Sequence, residues 1–364
     1  MIPAAVALAL AHFGAPLAYR LAAGRWLARP WGLERGPRRP TVTVIVPTYN
    51  EAKFVEAKLD DIAKQSYPKE LMEVIVVDSA SSDGTAQIAR RWAAEHPQVK
   101  LLVVEEPERR GKAHALNAAL KAARGEVVVI TDADSTWAAE DTLERALSWF
   151  ADPRVGAVTC LKKPAGKGAA GVEEGYRRFY NAIRVAESKV WATPIFHGEL
   201  AAFRRDLLEA NGGFPTDLGA DDSHTATLIA LKGYRAIAPD DVWCIEAVPR
   251  KGYHKWRVRR AQHLIQHFAR AIKRVREAPG PFRKVLLAEA WLHLANPWLL
   301  AAAALLLALE AARGSPLAAA LLALGFLPLA CKPYRTWVAM QLYLMAAAIR
   351  NLKTKEIAWE KEAK

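Results

Sequence analysis

The residues with the most legible chemistry are Asp132 and Asp134, which close the run VVVITDAD from Val127 to Asp134. Four aliphatic residues and a threonine, with Gly125 just before them, have the pattern of a parallel strand buried on both faces. In an open α/β sheet, ligands bind in the crevice beyond the carboxyl ends of the strands. Two carboxylates one residue apart at such a place suit a hard divalent cation, which takes oxygen ligands and keeps waters for a phosphate to replace. The other use of the pair is to cap a helix expected near Ala138, a task that Ser135 or Asp134 performs alone.

The elements that must position this pair alternate along the chain. Thr41 to Pro47 is a β-branched run, Asn50-Glu51 opens a helical pattern through Phe54, Leu59 and Ile62, and Glu73 to Val77 makes a second strand ending on Asp78. A helix around Ile88 to Ala94, a strand from Lys100 to Val104 and a helix from Gly111 to Ala123 follow. Strand and helix in alternation with short connections predict a parallel, doubly wound sheet. One edge of it collects Tyr49, Glu51, Asp78, Asp83, Asp132 and Asp134. Farther on, Val155 to Leu161 and His197 to Phe203 read as strands, Pro164 to Gly171 as a loop, and Val172 to Trp191 as an amphipathic helix. Asn211 to Pro215 reads as a turn, and Asp221-Asp222 starts a helix through Leu231; one aspartate suffices as a cap, which leaves the other for chemistry.

The charge distribution points to a membrane. The formal net charge is +13, and two segments carry it: Arg20 to Arg39 has six bases against Glu34, and Tyr253 to Lys284 has ten against Glu277. Both flank long apolar stretches, which argues for a lipid surface and against nucleic acid. Met1 to Tyr19 holds no charged side chain and is followed by Arg20 and Arg25, so it reads as an uncleaved anchor. Ala290 to Leu309 and Pro316 to Ala330 are further apolar candidates, which together make three spans; Thr336 to Ile349 reads as interfacial or re-entrant. Trp26, Trp31, Trp291, Trp298 and Trp337 fit an aromatic belt. From Trp256 to Arg276, apolar residues at Ala261, Leu264, Ile265, Phe268, Ile272 and Val275 oppose Arg259, Arg260, Arg270, Lys273, Arg274 and Arg276, the pattern of a helix in the headgroup plane. Three cysteines without ligand spacing suggest a reducing compartment and no zinc site, and only 12 Asn and Gln residues hint at a thermophilic source.

In combination the motifs resemble the inverting family 2 glycosyltransferases, in their membrane-embedded, cellulose-synthase-like branch. The resemblance covers roughly Val42 to His263 and rests on VIVPTYNE (Val44 to Glu51), VVDSASSDGT (Val76 to Thr85), GKAHALN (Gly111 to Asn117), TDAD (Thr131 to Asp134), GELAAFRR (Gly198 to Arg205), NGGF and ADD (Ala220 to Asp222). It implies a GT-A, Rossmann-like α/β domain with interfacial amphipathic helices and about three transmembrane helices. The corresponding divisions are an anchor over 1–26, a catalytic domain over 40–250, interfacial helices over 251–284, two spans over 285–331 and an interfacial or re-entrant helix over 332–364. It also implies donor contacts from Pro47, Tyr49, Glu51, Asp78, Lys112 and Asp132, and Mg²⁺ or Mn²⁺ on Asp132 and Asp134. Asp222, beside Asp221, would be the general base, and Arg259 and Arg260 would meet the diphosphate. His263, Gly198 and Trp191 would lie on the acceptor side.

Two departures narrow this resemblance. Ser79 stands where the family usually has a second acid, and Arg259-Arg260-Ala261-Gln262-His263 replaces a QxxRW-type motif, with His263 in place of the tryptophan that stacks an acceptor sugar. With about three spans, the chain resembles an archaeal mannosyltransferase acting once on a polyprenyl- or dolichyl-linked glycan from GDP-mannose, its catalytic domain on the cytoplasmic face of the cell membrane in N-glycan or glycolipid assembly. The alternatives are a processive polysaccharide synthase using a UDP-sugar and an inactive membrane scaffold. His197, His224 and His254 read as structural, Arg109 and Arg110 as solvating a loop, and Lys112 as facing the donor.

Overall fold

The computed structural model describes residues 1–165, 170–249 and 251–355. Its main sheet has seven strands in the order β3-β2-β1-β4-β8-β6-β9: β1 Val42–Thr48, β2 Met72–Ser79, β3 Lys100–Glu106, β4 Val127–Ile130, β6 Val155–Thr159, β8 Ala201–Arg204 and β9 Arg235–Ile237. A smaller sheet, β5-β10-β7, joins Thr136–Trp137, Trp243–Ala247 and Leu161–Ala165. The aliphatic strands alternate between two cores: Ile45, Ile75, Val77, Val128 and Ile130 face one layer of helices. Val44, Val46, Val74, Val76, Val127 and Val129 face the other. A period of two with both faces apolar is what the continuous runs of β1, β2 and β4 encode.

Several expectations are corrected. The sheet is mixed, because β8 runs antiparallel to both β4 and β6. The run from Val155 to Leu161 is two strands divided at Cys160, one for each sheet. The strand expected from His197 shortens to Ala201–Arg204, and residues 197–200 form an irregular connection tied to β4 by Asp132 N–H donating to the Gly198 carbonyl at 2.9 Å. The helix expected near Ala138 begins at Thr142, so the aspartate pair does not cap it. β7 extends into the expected 164–171 loop and a helix resumes at Ala170; residues 166–169 of that loop lie outside the described residues.

Among the described residues, two helices are long and apolar enough to cross a membrane, Ile2–Leu27 and the continuous run Gly280–Ala312. A third crossing exists only if Pro316–Ala330 and Lys332–Lys353, bent by 109° at their junction, act as one span. Leu10, Leu17, Leu21, Leu305 and Leu324 are exposed along these segments. Polar contacts hold the helices together: His12 Nδ1 donates to the Asn296 carbonyl at 2.9 Å, and its Nε2 accepts from Trp337 Nε1 at 3.0 Å, which fixes the tautomer. The basic amphipathic segment is an α-helix over Tyr253–Ala271 that tightens to 3₁₀ over Ile272–Glu277. Its polar side is not simply presented to headgroups. Gln262, Gln266 and His267 are buried, Gln266 donating to Asn351 Oδ1 on the last helix while accepting from the Gly219 N–H, both at 3.0 Å. The interfacial or re-entrant assignment of 332–364 meets a helix over Lys332–Lys353; residues 356–364 lie outside the described residues.

Gly125 precedes β4, where a Cβ would lie 2.4 Å from the Thr43 nitrogen and 2.6 Å from the Val42 carbonyl carbon. Backbone cannot yield as a side-chain tip does, so Gly125→Ala is expected to destabilise the fold by about 2–3 kcal/mol. Thermal unfolding followed by tryptophan fluorescence measures this, and an unchanged midpoint contradicts it.

Candidate active site

The carboxyl ends of β1 and β4, the 197–200 connection and the starts of the helices Lys112–Leu120, Asp221–Leu231 and Tyr253–Ala271 enclose a cavity of about 380 Å³. Asp132 sits two residues past the buried strand end at Ile130. Its carbonyl accepts from the Ser135 hydroxyl at 2.8 Å, and the Thr131 hydroxyl donates to the Glu199 carbonyl at 2.8 Å, so the turn and the neighbouring connection are stitched together. Lys112, at the first turn of its helix, donates to Asp132 Oδ1 at 2.7 Å and lies 4.0 Å from Asp221 Oδ2. Burial works against the Lys112 ammonium, and the carboxylates of Asp132, Asp221 and Asp222 more than offset it, so its pKa is raised. Gly198 packs closely against this pair: a Cβ there would lie 2.7 Å from Lys112 Nζ and 3.0 Å from Asp132 Oδ2. The missing side chain at Gly198 leaves room for the Asp132 carboxylate and the Lys112 tip.

Asp221 and Asp222 open their helix without a side-chain cap on it; Asp222 Oδ1 accepts from the adjacent Ser223 N–H at 2.6 Å. Burial raises the pKa of Asp222, the neighbouring Asp221 charge raises it further, and Lys112 opposes both, leaving it at about 7. A carboxylate poised there is matched to accepting a proton near neutral pH. Opposite it, His263 is pressed against Gly219, and burial followed by Arg259 and Arg260 lowers its pKa to about 3, so the ring is neutral.

Pro47, Tyr49, Glu51, Lys112, Asp132, Asp134, Gly198, Asp221, Asp222, Arg259, Arg260 and His263 all line the cavity, so most of the sequence-derived set converges. Two members do not. Trp191 follows the Ala170–Val190 helix and is not among the residues that line the cavity, with the Arg235 guanidinium 5.3 Å from its ring centroid and its carbonyl accepting from Arg235. Asp78 is 1% exposed and orders the turn after β2, accepting from the Thr48 hydroxyl at 2.9 Å and from the Ser81 N–H at 2.9 Å. Arg109, read as solvating a loop, lies 3.8 Å from the Tyr49 ring centroid and lines the cavity, as does buried His197. Sequence reasoning missed Lys162, Arg177, Glu199 and Glu246, which form a buried charged wall. The cavity continues past them to Pro16, Leu292, Met340 and Leu344 on the apolar helices.

Residues 43–212 match the family model described as Glycosyl transferase family 2. Among solved structures, the chain is similar to the mannosyltransferase PcManGT from Pyrobaculum calidifontis in complex with GDP-Man and Mn²⁺, at 62% identity and a TM-score of 0.90, covering 96% of this chain and 98% of that one. Among curated proteins, it is 29% identical over 215 residues to the glycosyltransferase AglE of Haloferax volcanii, covering 58% of this chain and 68% of that protein. It is 32% identical over 225 residues to an N-acetylglucosaminyltransferase of Rhizobium meliloti, covering 58% of this chain and 52% of that protein. The chain thus spans about half the length of that second relative.

The tip of Lys112 can move aside for a methyl group, but the short Asp132 side chain cannot do so without leaving its place. Gly198→Ala is therefore expected to fold with a stability loss of about 1 kcal/mol while weakening divalent-cation-dependent binding of a nucleoside diphosphate about tenfold. Calorimetry with Mn²⁺ and with chelator reads the effect; undiminished metal-dependent binding contradicts this account of Gly198.

Proposed function

The chain belongs to glycosyl transferase family 2, and from that premise we propose that it transfers mannose from GDP-mannose, with inversion, to a lipid-linked glycan at the cytoplasmic face of a membrane. The observation that carries the donor assignment is the 62% identity, extending over 96% of the chain, to a mannosyltransferase in complex with GDP-Man and Mn²⁺. The site agrees with that chemistry. In this reading Tyr49 and Arg109 border the nucleotide, and Lys112, Arg259 and Arg260 face the diphosphate. Asp222 is the base.

A divalent cation fits the donor set. Asp132 and Asp134 offer hard carboxylate oxygens, and Gly198 keeps the space beside Asp132 open. Among the described residues no group of three or more His, Cys, Asp or Glu gathers to hold a metal, so the two aspartates would share the ion with oxygens of the donor and water. When bound, the ion supplies positive charge at the diphosphate. Asp222 accepts the proton of the attacking hydroxyl as that oxygen bonds to the anomeric carbon and the bond from carbon to diphosphate oxygen breaks. One displacement inverts the centre, so a single catalytic carboxylate suffices. The charge gathering on the departing diphosphate is met by arginine side chains already on the cavity wall.

Two features support a membrane-held acceptor. The cavity runs from Asp222 to side chains of the two apolar helices. The bases Arg20 and Arg25 in the carboxyl-terminal part of the Ile2–Leu27 helix, and Arg350 and Lys353 at the end of the Lys332–Lys353 helix, fit one cytoplasmic side.

Asp222→Asn is expected to abolish transfer while leaving GDP binding largely intact, because the base acts in the transition state. In the unaltered enzyme, kcat/KM is expected to fall as pH drops through about 7, as Asp222 takes up a proton. Near-normal turnover by the asparagine variant, or an acid limb in the ordinary carboxylate range, contradicts the assignment. Thermal shifts of the detergent-solubilised protein with GDP, UDP and their mannose, glucose and N-acetylglucosamine conjugates test the donor, since a ligand that binds the folded state raises its stability. A Mn²⁺-dependent shift confined to UDP species would replace mannose with a UDP-sugar and bring forward a polymer synthase, which product length then tests.

A further inference from the structure

One buried carboxylate organises the cationic wall of the cavity. Glu246 lies on β10, where the inward positions are Cys244 and Glu246, and its side chain is 3% exposed. Glu246 Oε1 accepts from Lys162 Nζ at 3.0 Å and from Arg260 Nη1, while Oε2 accepts from Arg177 Nη2 at 2.7 Å. A carboxylate has about four lone-pair sites, so it can receive three cationic donors that would otherwise repel one another. Burial disfavours its ionised form, and Arg177, Arg260 and Lys162 more than offset that, holding the carboxyl well below its usual range.

The cluster reaches both halves of the site. Lys162 also donates to Glu199 Oε1 at 2.6 Å, and Glu199 follows the Gly198 that packs on Asp132. On the other side, Arg260 stands one turn after buried Trp256, its guanidinium carbon 4.7 Å from that ring's centroid. An arginine has about 2 kcal/mol of rotamer entropy to lose when it is fixed. A stacking ring beneath it and a carboxylate in front of it remove that entropy before a donor arrives, which is the preorganisation that makes charge stabilisation effective.

We propose that Glu246 is a positioning residue for the nucleoside-diphosphate donor, holding Arg260 on the cavity wall in the orientation from which its guanidinium meets the diphosphate as the bond to the sugar breaks. The inference rests on the donor reading above. It concerns the diphosphate and not the base or sugar. Glu246 touches no donor atom; it acts through Arg260.

The test is a double-mutant cycle on the full-length protein in detergent, with Glu246→Gln, Arg260→Ala and the pair, plus Glu246→Asp. Glu246→Gln is expected to lower kcat about tenfold to hundredfold, with GDP affinity in Mn²⁺ unchanged or tighter because the charge removed is negative. Glu246→Asp should recover part of the kcat, and Glu246→Gln should add little to the loss already present in Arg260→Ala. Wild-type kcat in Glu246→Gln, or an equal slowing with and without Arg260, would overturn the proposal, as would a loss of GDP binding in step with kcat. If Glu246→Gln does not fold, the cycle is run with Glu246→Asp against Arg260→Ala, and additive effects there overturn it as well. The donor reading is checked separately by the nucleotide that the wild type binds. If that is UDP, the mannose assignment fails, and the same cycle with UDP still decides on Glu246.

Discussion

The site depends on how β4 ends between β1 and β8. Val127, Val128, Val129 and Ile130 are buried on both faces, and backbone bonds on either side leave that strand no freedom of register. Asp132 therefore emerges at a fixed point, and Lys112, Gly198 and Asp221 are all placed relative to it. The antiparallel entry of β8 matters as much as the parallel entry of β1. It brings the chain back past the end of β4, so that the 197–200 connection forms the wall opposite Lys112.

Within the cavity, charge is managed in two opposite ways. Asp222 is half-buried next to another carboxylate, with Lys112 only partly compensating, so its pKa is raised. Glu246 is buried among cations, so its pKa is lowered. The first arrangement makes a carboxylate that can take a proton, and the second makes one that stays ionised and holds arginines in place. An unpaired buried charge is costly, and a paired one fixes geometry. Two carboxylates in one cavity thus acquire different work from their neighbours alone.

The apolar helices are joined to the catalytic domain by buried polar contacts as well as by packing. The Tyr19 hydroxyl donates to Glu187 on the Ala170–Val190 helix, and Arg184 on that helix bridges Glu187 and Glu289 at 2.8 and 2.9 Å. Such pairs are satisfied in only one arrangement, which fixes how the Ile2–Leu27 helix meets the cavity. The walls formed by the apolar helices and by the sheet edge are consequently parts of one enclosure.

The aspartates that line the cavity, and most of the residues that join them there, were legible in the sequence because local rules govern them: a doubly buried strand must read as an aliphatic run, and its polar residues must follow at its end. The apolar stretches and flanking bases were legible for the same reason, since length and charge alone set them. What the sequence could not show was contact between distant segments. Hydropathy along β10 favours Trp243, Ile245 and Ala247 as the buried positions, yet the inward face is Cys244 and Glu246, because Lys162, Arg177 and Arg260 converge there from three other elements. Trp191 and Asp78 depend on distant segments in the same way: Trp191 packs against Arg235, and Asp78 accepts hydrogen bonds from Thr48 and from the turn after β2. The sequence by itself determined the strand ends and the residue types that gather there. Only the tertiary structure decided which charges share a buried space, because pKa and orientation follow from neighbours that the linear order keeps far apart.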